Sequence, residues 1–513
     1  MKNTNRTLKA TLSMGANGIY YIVTILLGLL NRRCLIYIMG IEYQGVSGLF
    51  TSVISILELA ELGIGTAIIF HLYRPLAEND IEMIKSIMAF YKKCYTYIAA
   101  VIAFIGILLS FKIDFFVGTT DLKLNMRAVF LLMLADIIGS YTFAYKRSIL
   151  YADQKNYVVA NINTCFTVGY NIIQIIVLYL TRNYYFYLMI KACLRIGANI
   201  AVNIIVNRQY PYLKKQSSAP LNNHILQDIA LKVKGLLCHK IGTFIVNGTD
   251  NIFISKLIDL AAVGVYANYH YVINAVNSLL NQMLDGATGS VGNLLIKSES
   301  GHRLDVFKQM NLLNTLLSTA AISIFSAAVD DFISLFFGAQ YSLPYFVVAV
   351  LVVNMICTNQ RRVWGIMKSA AGIQYEDRWV PLYESIINLI MSYLFFRVFG
   401  FGGIFIGTLF THIGVFFYTF PILVGKNLFK MKYQSYIFYM AKLVLFQFVL
   451  AFWGFFVGCI VVANKWIAII VKTFIAGVSS LAAFWIVFHQ EAEFKALLER
   501  IERLINGIFK TSN

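Results

Sequence analysis

Polar and ionisable side chains recur at spacings of three and four inside long apolar runs of this 513-residue chain. One run carries Asn17, Tyr21, Thr24, Gly28, Asn31 and Arg32, with Arg33 adjacent; the next carries Ser47, Thr51, Glu58, Glu61 and Gly65. Thr164, Thr167, Asn171 and Gln174 share a third run, and Lys191 and Arg195 lie one turn apart in a fourth. The later part of the chain repeats the pattern with Lys240, Thr243, Asn247 and Asp250, then with His270, Asn274, Asn277, Asn281 and Asp285. Asn311, Asn314 and Ser318, and then Glu384, Asn388 and Ser392, extend it. On a helix such spacing sets each group along one face. Ionisable groups at membrane depth are expensive unless that face meets protein or water.

A single Asn or Ser reads as an interhelical hydrogen bond worth about 0.6–2 kcal/mol. Stripes this long in both halves predict a hydrated central cavity instead. Its expected lining is Arg32, Arg33, Glu61, Lys191, Arg195, Lys240, Asn247, Asp250, His270, Asn274 and Asn277. Several fixed cations on one cavity would attract an anionic solute, and a diphosphate suits them. Other roles stay open for individual residues. Arg33, about 20 residues and roughly 30 Å along its helix, could snorkel to the far interface. Lys191 and Arg195 could pair with Asp136 or a Glu, and Glu61 or Asp250 could hold a proton or cation or act as counter-ions.

The elements that position these groups follow from composition. The chain is 59% hydrophobic, 15% aromatic and 13% charged, with a mean hydropathy of +0.69. Soluble domains average about 45–50% apolar and 25% charged residues, so this surface cannot be wrapped in water-facing charge. Six Pro and the absence of a Gly-X-Y period remove fibrous and disordered classes. Seven Cys scattered through apolar stretches without C-x-x-C or metal-ligand spacing read as small buried hydrophobes. The expected fold is all-α and polytopic.

A crossing needs about 20 apolar residues, and about fourteen such stretches are expected: 14–39, 46–72, 94–113, 127–145, 157–181, 184–206, 235–256, 260–285, 308–329, 335–358, 380–399, 401–425, 437–463 and 466–489. The first is too long for a signal peptide and lacks an A-x-A site, so it is expected to remain. Lys and Arg concentrate in alternate loops, among them Lys2, Arg6 and Lys9; Lys85, Lys92 and Lys93; Lys146 and Arg147; Lys214 and Lys215; Arg361, Arg362 and Lys368. The positive-inside rule then sets both termini in the cytoplasm. The formal charge of +18 is mostly this asymmetry, together with attraction to anionic lipid, and not a nucleic-acid footprint.

The polar break 207–231, with two Pro, falls after six spans and is expected to link two lobes, 1–206 and 232–425. Residues 426–489 would add two further helices and 490–513 a cytoplasmic amphipathic tail. Glu78 to Lys93 and Glu491 to Ile508 are expected to lie on the inner membrane surface. IMGIEYQGVSGLF after the first span of one half and LIDLAAVGVYANY after that of the other align Gly45-Val46 with Gly264-Val265, which suggests a parallel repeat.

The first hairpin also carries a resemblance. RCLIYIMGIEYQGVSGLFTSVISILELAELGIGTAI followed by LYRPLAENDIEMIKSIMAFYKK resembles the bacterial polysaccharide flippases of the multidrug/oligosaccharidyl-lipid/polysaccharide exporter superfamily. The features that match are Arg33, Glu42, Gly45, Glu61-Leu-Gly-Ile-Gly65 and Leu72-Tyr-Arg-Pro-Leu76. TDNIFISKLIDLAAVGVYANY, with Asp250, Ser255, Gly264 and Tyr266, resembles the family's seventh helix and following turn. The chain departs from the pattern at Asn31-Arg32, where Pro often precedes the Arg. The resemblance implies two pseudo-symmetric six-helix lobes facing a V-shaped central cavity, two extra C-terminal helices and alternating access. It implies an undecaprenyl-diphosphate-linked oligosaccharide, an O-antigen or capsule repeat unit, moved from the cytoplasmic to the outer leaflet of a bacterial plasma membrane. The cation of the first helix would then engage the diphosphate or a sugar acid, and polysaccharide polymerase or export proteins would be partners.

Two alternatives remain from the residues. One is an ion-coupled multidrug exporter of the same superfamily, with Glu61 and Asp250 as proton or sodium sites. The other is a polytopic glycosyltransferase or polymerase, disfavoured by short outer loops and the absence of D-x-D. No G-x-x-x-x-G-K-[ST] occurs, so ATP is not expected as a direct energy source. No enzymatic activity, cofactor or metal is expected, while H+ or Na+ coupling stays open. Asn5-Arg6-Thr7 and Asn247-Gly248-Thr249 match a glycosylation sequon, but this topology sets them in the cytoplasm and the membrane.

Overall fold

The computed structural model describes residues 2–61, 64–214, 223–285, 300–371 and 376–499, and singly Leu221, Val291 and Ile373. Every regular element among the described residues is a helix. In order they are α1 (Lys2–Met39), α2 (Ile41–Glu58), α3 (Ile64–Glu78), α4 (Ile81–Ser110), α5 (Met126–Tyr141), α6 (Arg147–Ala152), α7 (Asn156–Thr181), α8 (Tyr184–Gln209), α9 (Asn223–Gly248), α10 (Asp250–Leu257) and α11 (Leu260–Asp285). They continue with α12 (Ser300–Phe336), α13 (Tyr345–Ala371), α14 (Val380–Phe399), α15 (Phe401–Gly414), α16 (Tyr433–Gly458) and α17 (Lys465–Phe488). Short polar side chains start several of them: Asp80 accepts from the Met83 amide, Asn125 from Ala128, and Asn183 and Asn464 each from the second and third residues after them. These caps satisfy amides that a helix end leaves orphaned.

Among the described residues eleven helices are long and apolar enough to cross a membrane. The three expected spans outside that set are the second, seventh and eighth, and each has a physical reason. The second is interrupted at Glu58, where a 3-10 turn, Leu59–Glu61, separates α2 from α3. The seventh breaks at Gly248–Thr249 between α9 and α10, where the Thr249 hydroxyl donates back to the Ile245 carbonyl at 2.7 Å. The eighth, α11, is an unbroken helix of 26 residues whose Asn and His content lowers its hydropathy. Eleven and three make the fourteen expected stretches, and the fold is an all-α polytopic one.

Other boundaries differ from expectation. Glu78 to Lys93 is not a separate surface piece, because α4 runs unbroken for 30 residues from Ile81. The tenth span begins only at Tyr345, since the backbone before Pro344 is turned and Pro is tolerated where a helix starts. Past α15 the backbone continues as a π-helical stretch, Val415–Lys426, around Pro421, whose missing amide cannot serve an ordinary α-helical bond.

The chain forms two compact units, Met1–Ala267 and Asn268–Asn513, so the division falls inside α11 and not in the polar break 207–231. In the first unit α1 packs along α7, α7 and α5 on α8, α3 on α4 and α6, and α2 against α9 and α10. In the second, α12 is central and packs on α13, α16 and α17, while α14 pairs with α15. Its largest core joins Phe307, Trp364, Phe420, Phe429 and Tyr436, and Trp364 is completely buried. The tail was expected on the membrane surface, but its described part docks on this unit: Phe494 packs with Phe484 and Phe488, and Glu493 pairs with Lys308 at 2.8 Å. Residues 500–508 of that tail lie outside the described residues.

Candidate functional site

The first unit holds a cavity of about 550 Å³ that brings together all eight helices from α1 to α8. Six tyrosines line it: Tyr20, Tyr91, Tyr95, Tyr141, Tyr151 and Tyr170. Glu58, Glu61, Arg147, Arg195 and Asn163 supply its charge and hydrogen-bonding capacity. The break between α2 and α3 turns Glu61 toward α4, where Tyr95 donates to its Oε1 at 2.7 Å and Tyr91 donates on to Tyr95 at 3.1 Å. The Tyr91 and Tyr95 rings meet edge to face with centroids 4.6 Å apart. Gly65 faces this cluster, and a Cβ there would stand 2.9 Å from the Tyr91 hydroxyl and 3.3 Å from Glu61 Oε1. The Glu61 and Gly65 noted in the sequence are thus one device, a carboxylate and the space for its donors.

The cations of this cavity differ in how they are held. Arg195 and Lys191, one turn apart on α8, both face Asp136 of α5, at 3.3 Å and 3.6 Å. Asp136 is buried, so it compensates the pair locally. Arg147 bonds the Asn199 carboxamide, and among the described residues no carboxylate lies within ion-pair distance of it. A second cavity of about 500 Å³ shares Glu58 and Glu61 and adds His239, Lys240 and Phe244 from α9.

The remaining expected lining residues fall elsewhere. Arg32 donates to the Ala267 carbonyl at 3.2 Å. Arg33 is exposed and lines a separate apolar groove of about 410 Å³ with Tyr37, Ile176 and Tyr179 between α1 and α7. Asp250 is buried at the start of α10 with Tyr266 donating to it at 3.4 Å. The Asn247 side chain lies outside the described residues. His270, Asn274 and Asn277 belong to the second unit, where Asn274 sits 3.2 Å from the His270 ring and Asn277 accepts from Asn359 at 3.2 Å. Glu61, Arg195 and Lys240 therefore line one pair of adjoining cavities, and Lys191 adjoins them through Asp136.

Part of the polar striping is helix-to-helix bonding. Asn31 donates to Asn171 at 2.9 Å and Gln174 at 3.0 Å and accepts from Tyr187 at 2.7 Å, which ties α1 to α7 and α8. Arg361, expected in a cytoplasmic loop, lies within α13 and makes a two-pronged pair with Glu384 of α14 at 2.6 and 3.2 Å, beside His412. Sequence reasoning missed the tyrosines and Arg147. The signal that could have found Tyr91 and Tyr95 is their spacing of four on a helix bearing no acid of its own at that depth.

These helices define an all-α polytopic membrane fold. Among solved structures the chain is similar to the lipid II flippase MurJ in an inward closed conformation, with a TM-score of 0.65 at 12% identity, over 93% of this chain and 99% of that one. It is also similar to an inward-facing multidrug resistance MATE family transporter of the MOP superfamily, with a TM-score of 0.58 at 12% identity, over 85% of this chain and 98% of that one. The Vibrio cholerae MATE transporter VcmN in its bent form gives 0.51 at 15% identity, over 87% and 99%. No protein-family model matches the sequence, and no curated protein matches it.

Proposed function

We propose that this protein is a flippase that carries a polyprenyl-diphosphate-linked oligosaccharide, a polysaccharide repeat unit, from the cytoplasmic to the outer leaflet of a bacterial plasma membrane by alternating access. The observation that carries this reading is the tyrosine-lined cavity, which offers both kinds of group such a substrate needs. Tyrosine rings and the Glu58, Glu61 and Asn163 side chains suit sugar faces and hydroxyls. Arg147, which has no carboxylate partner among the described residues, suits a phosphate or sugar acid. In this reading both termini are cytoplasmic, 207–231 links two functional halves, and a polymerase or export protein receives the product.

The test is to delete the gene in its host and determine which leaflet holds the lipid-linked oligosaccharides. Complete repeat units retained on the inner leaflet, with surface polymer lost and restored by the intact gene but not by Arg147→Gln, are expected. Normal distribution and normal polymer in a strain without a second copy would reject the proposal.

A second reading has its own observation. Glu58 and Glu61 have no cation within ion-pair distance among the described residues and face aromatic walls, which is the chemistry of a binding site for organic cations. An ion-coupled multidrug exporter would use these carboxylates for H+ or Na+. Drug sensitivity on deletion, rescued by the gene and not by Glu61→Gln, would favour it over the flippase.

A further inference from the structure

A cavity of about 1140 Å³ in the first unit shares no residue with the two described above. It lies where the first turns of α4, the Phe143–Lys146 turn, the last turns of α8 and the first turn of α9 meet. Five lysines line it: Lys85, Lys92 and Lys93 from α4, Lys146 from the turn and Lys214 after α8. Among the described residues no acid lines it, and of the five only Lys85 has a carboxylate partner, that of Glu82 at 2.7 Å on its own helix.

Lys146 is the informative member. It is only 8% exposed, yet its ammonium donates to the carboxamide oxygens of Asn203 and Asn207 and to no acid among the described residues. Two of its three donors are used, which leaves one for a ligand. The comparably buried Lys472 of the second unit shows the usual solution, an ion pair with Asp331 at 2.5 Å. A buried ammonium without an acid is costly, and an anion from outside the protein would offset that cost.

The remaining wall selects the kind of anion. Met88, Phe90, Tyr97, Phe143 and Leu226 make a large part of it apolar, and Tyr97 is exposed. A free phosphate would leave that apolar surface and most of the volume unused. We propose that this cavity is a binding site for an anionic phospholipid, with the phosphate on Lys92, Lys93, Lys146 and Lys214 and the acyl chains against the apolar wall. Basic recesses at helix ends are suited to such headgroups.

The full-length protein would be purified in a zwitterionic-lipid nanodisc and titrated with phosphatidylglycerol, phosphatidylcholine or inorganic pyrophosphate, with bound lipid counted by native mass spectrometry. Saturable binding of phosphatidylglycerol over phosphatidylcholine is expected, falling about fivefold for each lysine replaced by Gln. Lys92→Gln, Lys93→Gln and Lys214→Gln carry the test if Lys146→Gln fails to fold. Equal binding of both lipids, or unchanged binding in folded variants, would overturn the proposal. Displacement of the lipid by pyrophosphate at comparable concentration would also overturn it, in favour of a soluble phosphate ligand.

Discussion

Gly45 and Gly264 pack against each other reciprocally. A Cβ on Gly45 would overlap the carbonyl oxygen of Leu260, four residues before Gly264, and a Cβ on Gly264 would overlap that of Ile41, four residues before Gly45. The latter Cβ would also stand 3.1 Å from the Gly45 amide. Each glycine is the fifth residue of its helix, α2 or α11, so two equivalent first turns cross where neither can carry a side chain. Around this crossing Thr120 donates to Glu42, the Leu260 amide donates to the Thr119 carbonyl at 3.3 Å, and Ser255 accepts from the Gly118 amide at 3.0 Å.

Replacing either glycine with Val should therefore separate α2 from the start of α11. Overpacking typically costs about 1–3 kcal/mol, and carbonyl oxygens cannot move aside as a flexible side chain can. A cysteine pair placed at Gly48 and Ala267, whose Cβ atoms would stand 3.6 Å apart, within the span a disulfide bridges, should report the change as slower disulfide cross-linking in Gly264→Val than in the parent. Unchanged cross-linking and melting temperature would show that the crossing relaxes freely.

Asp136→Asn should destabilise the first unit, because it leaves Lys191 and Arg195 facing each other without their shared carboxylate. Loss of one partner of a buried pair costs about 3–5 kcal/mol, but both cations are more than a third exposed, so about 1–2 kcal/mol is expected. Thermal melting in detergent checks this. Adding Lys191→Met to Asp136→Asn should recover part of the loss, and failure to do so would mean that the two residues are not coupled.

Tyr95→Phe removes the donor to Glu61 while keeping the ring. A loss of about 1 kcal/mol in substrate binding or stability is expected, smaller than the effect of Glu61→Ala, which also vacates the acceptor. If Tyr95 acts only by positioning Glu61, the double variant should be no worse than Glu61→Ala in the leaflet assay. Additive losses would assign Tyr95 a separate contact with substrate.

The described part of the C-terminal tail, 491–499, should undock in acid. Partial burial pushes the Glu493 carboxyl up, but the Lys308 hydrogen bond and charge, with Lys442 nearby, outweigh it and hold the carboxyl below the usual glutamate range. A depressed folded value means that the docking stability is present above the unfolded value of about 4.3 and is lost as pH falls through the folded one. Protection of the 491–499 amides, taken relative to the intrinsic exchange rate at each pH, should therefore fall at low pH in the parent, and Glu493→Gln should show the lower protection already at neutral pH. Equal exchange in both proteins at neutral pH would exclude a role for the pair.

Much of the membrane architecture is readable along the chain, and its failures are instructive. The second and seventh spans show enough apolar character to be expected, yet both are broken: the second at Leu59–Glu61, where Tyr95 donates to Glu61, and the seventh at Gly248–Thr249, where the Thr249 hydroxyl donates back to Ile245. Asn31, Asn171 and Gln174 fit the helical stripe of a cavity wall equally well as they fit an interhelical clasp. Their periodicity is identical in the two cases, and the structure makes them a clasp. Arg361 looks like a loop cation because its neighbours Arg362 and Lys368 are basic, whereas its partner Glu384 lies on another helix.

What the sequence by itself determined is the class of object: a multi-pass helical membrane protein with polar faces and a matched pair of glycine-bearing turns. Hydropathy and helical period are properties of neighbouring residues, so they can be read locally. Only the tertiary structure decided which charges stay available. Asp136 claims Lys191 and Arg195, Asn199 holds Arg147, and six tyrosines from five helices converge around Glu61. Each of these outcomes depends on side chains distant in sequence meeting at a few ångströms, and Coulomb and hydrogen-bond energies depend on that spatial geometry and not on separation along the chain.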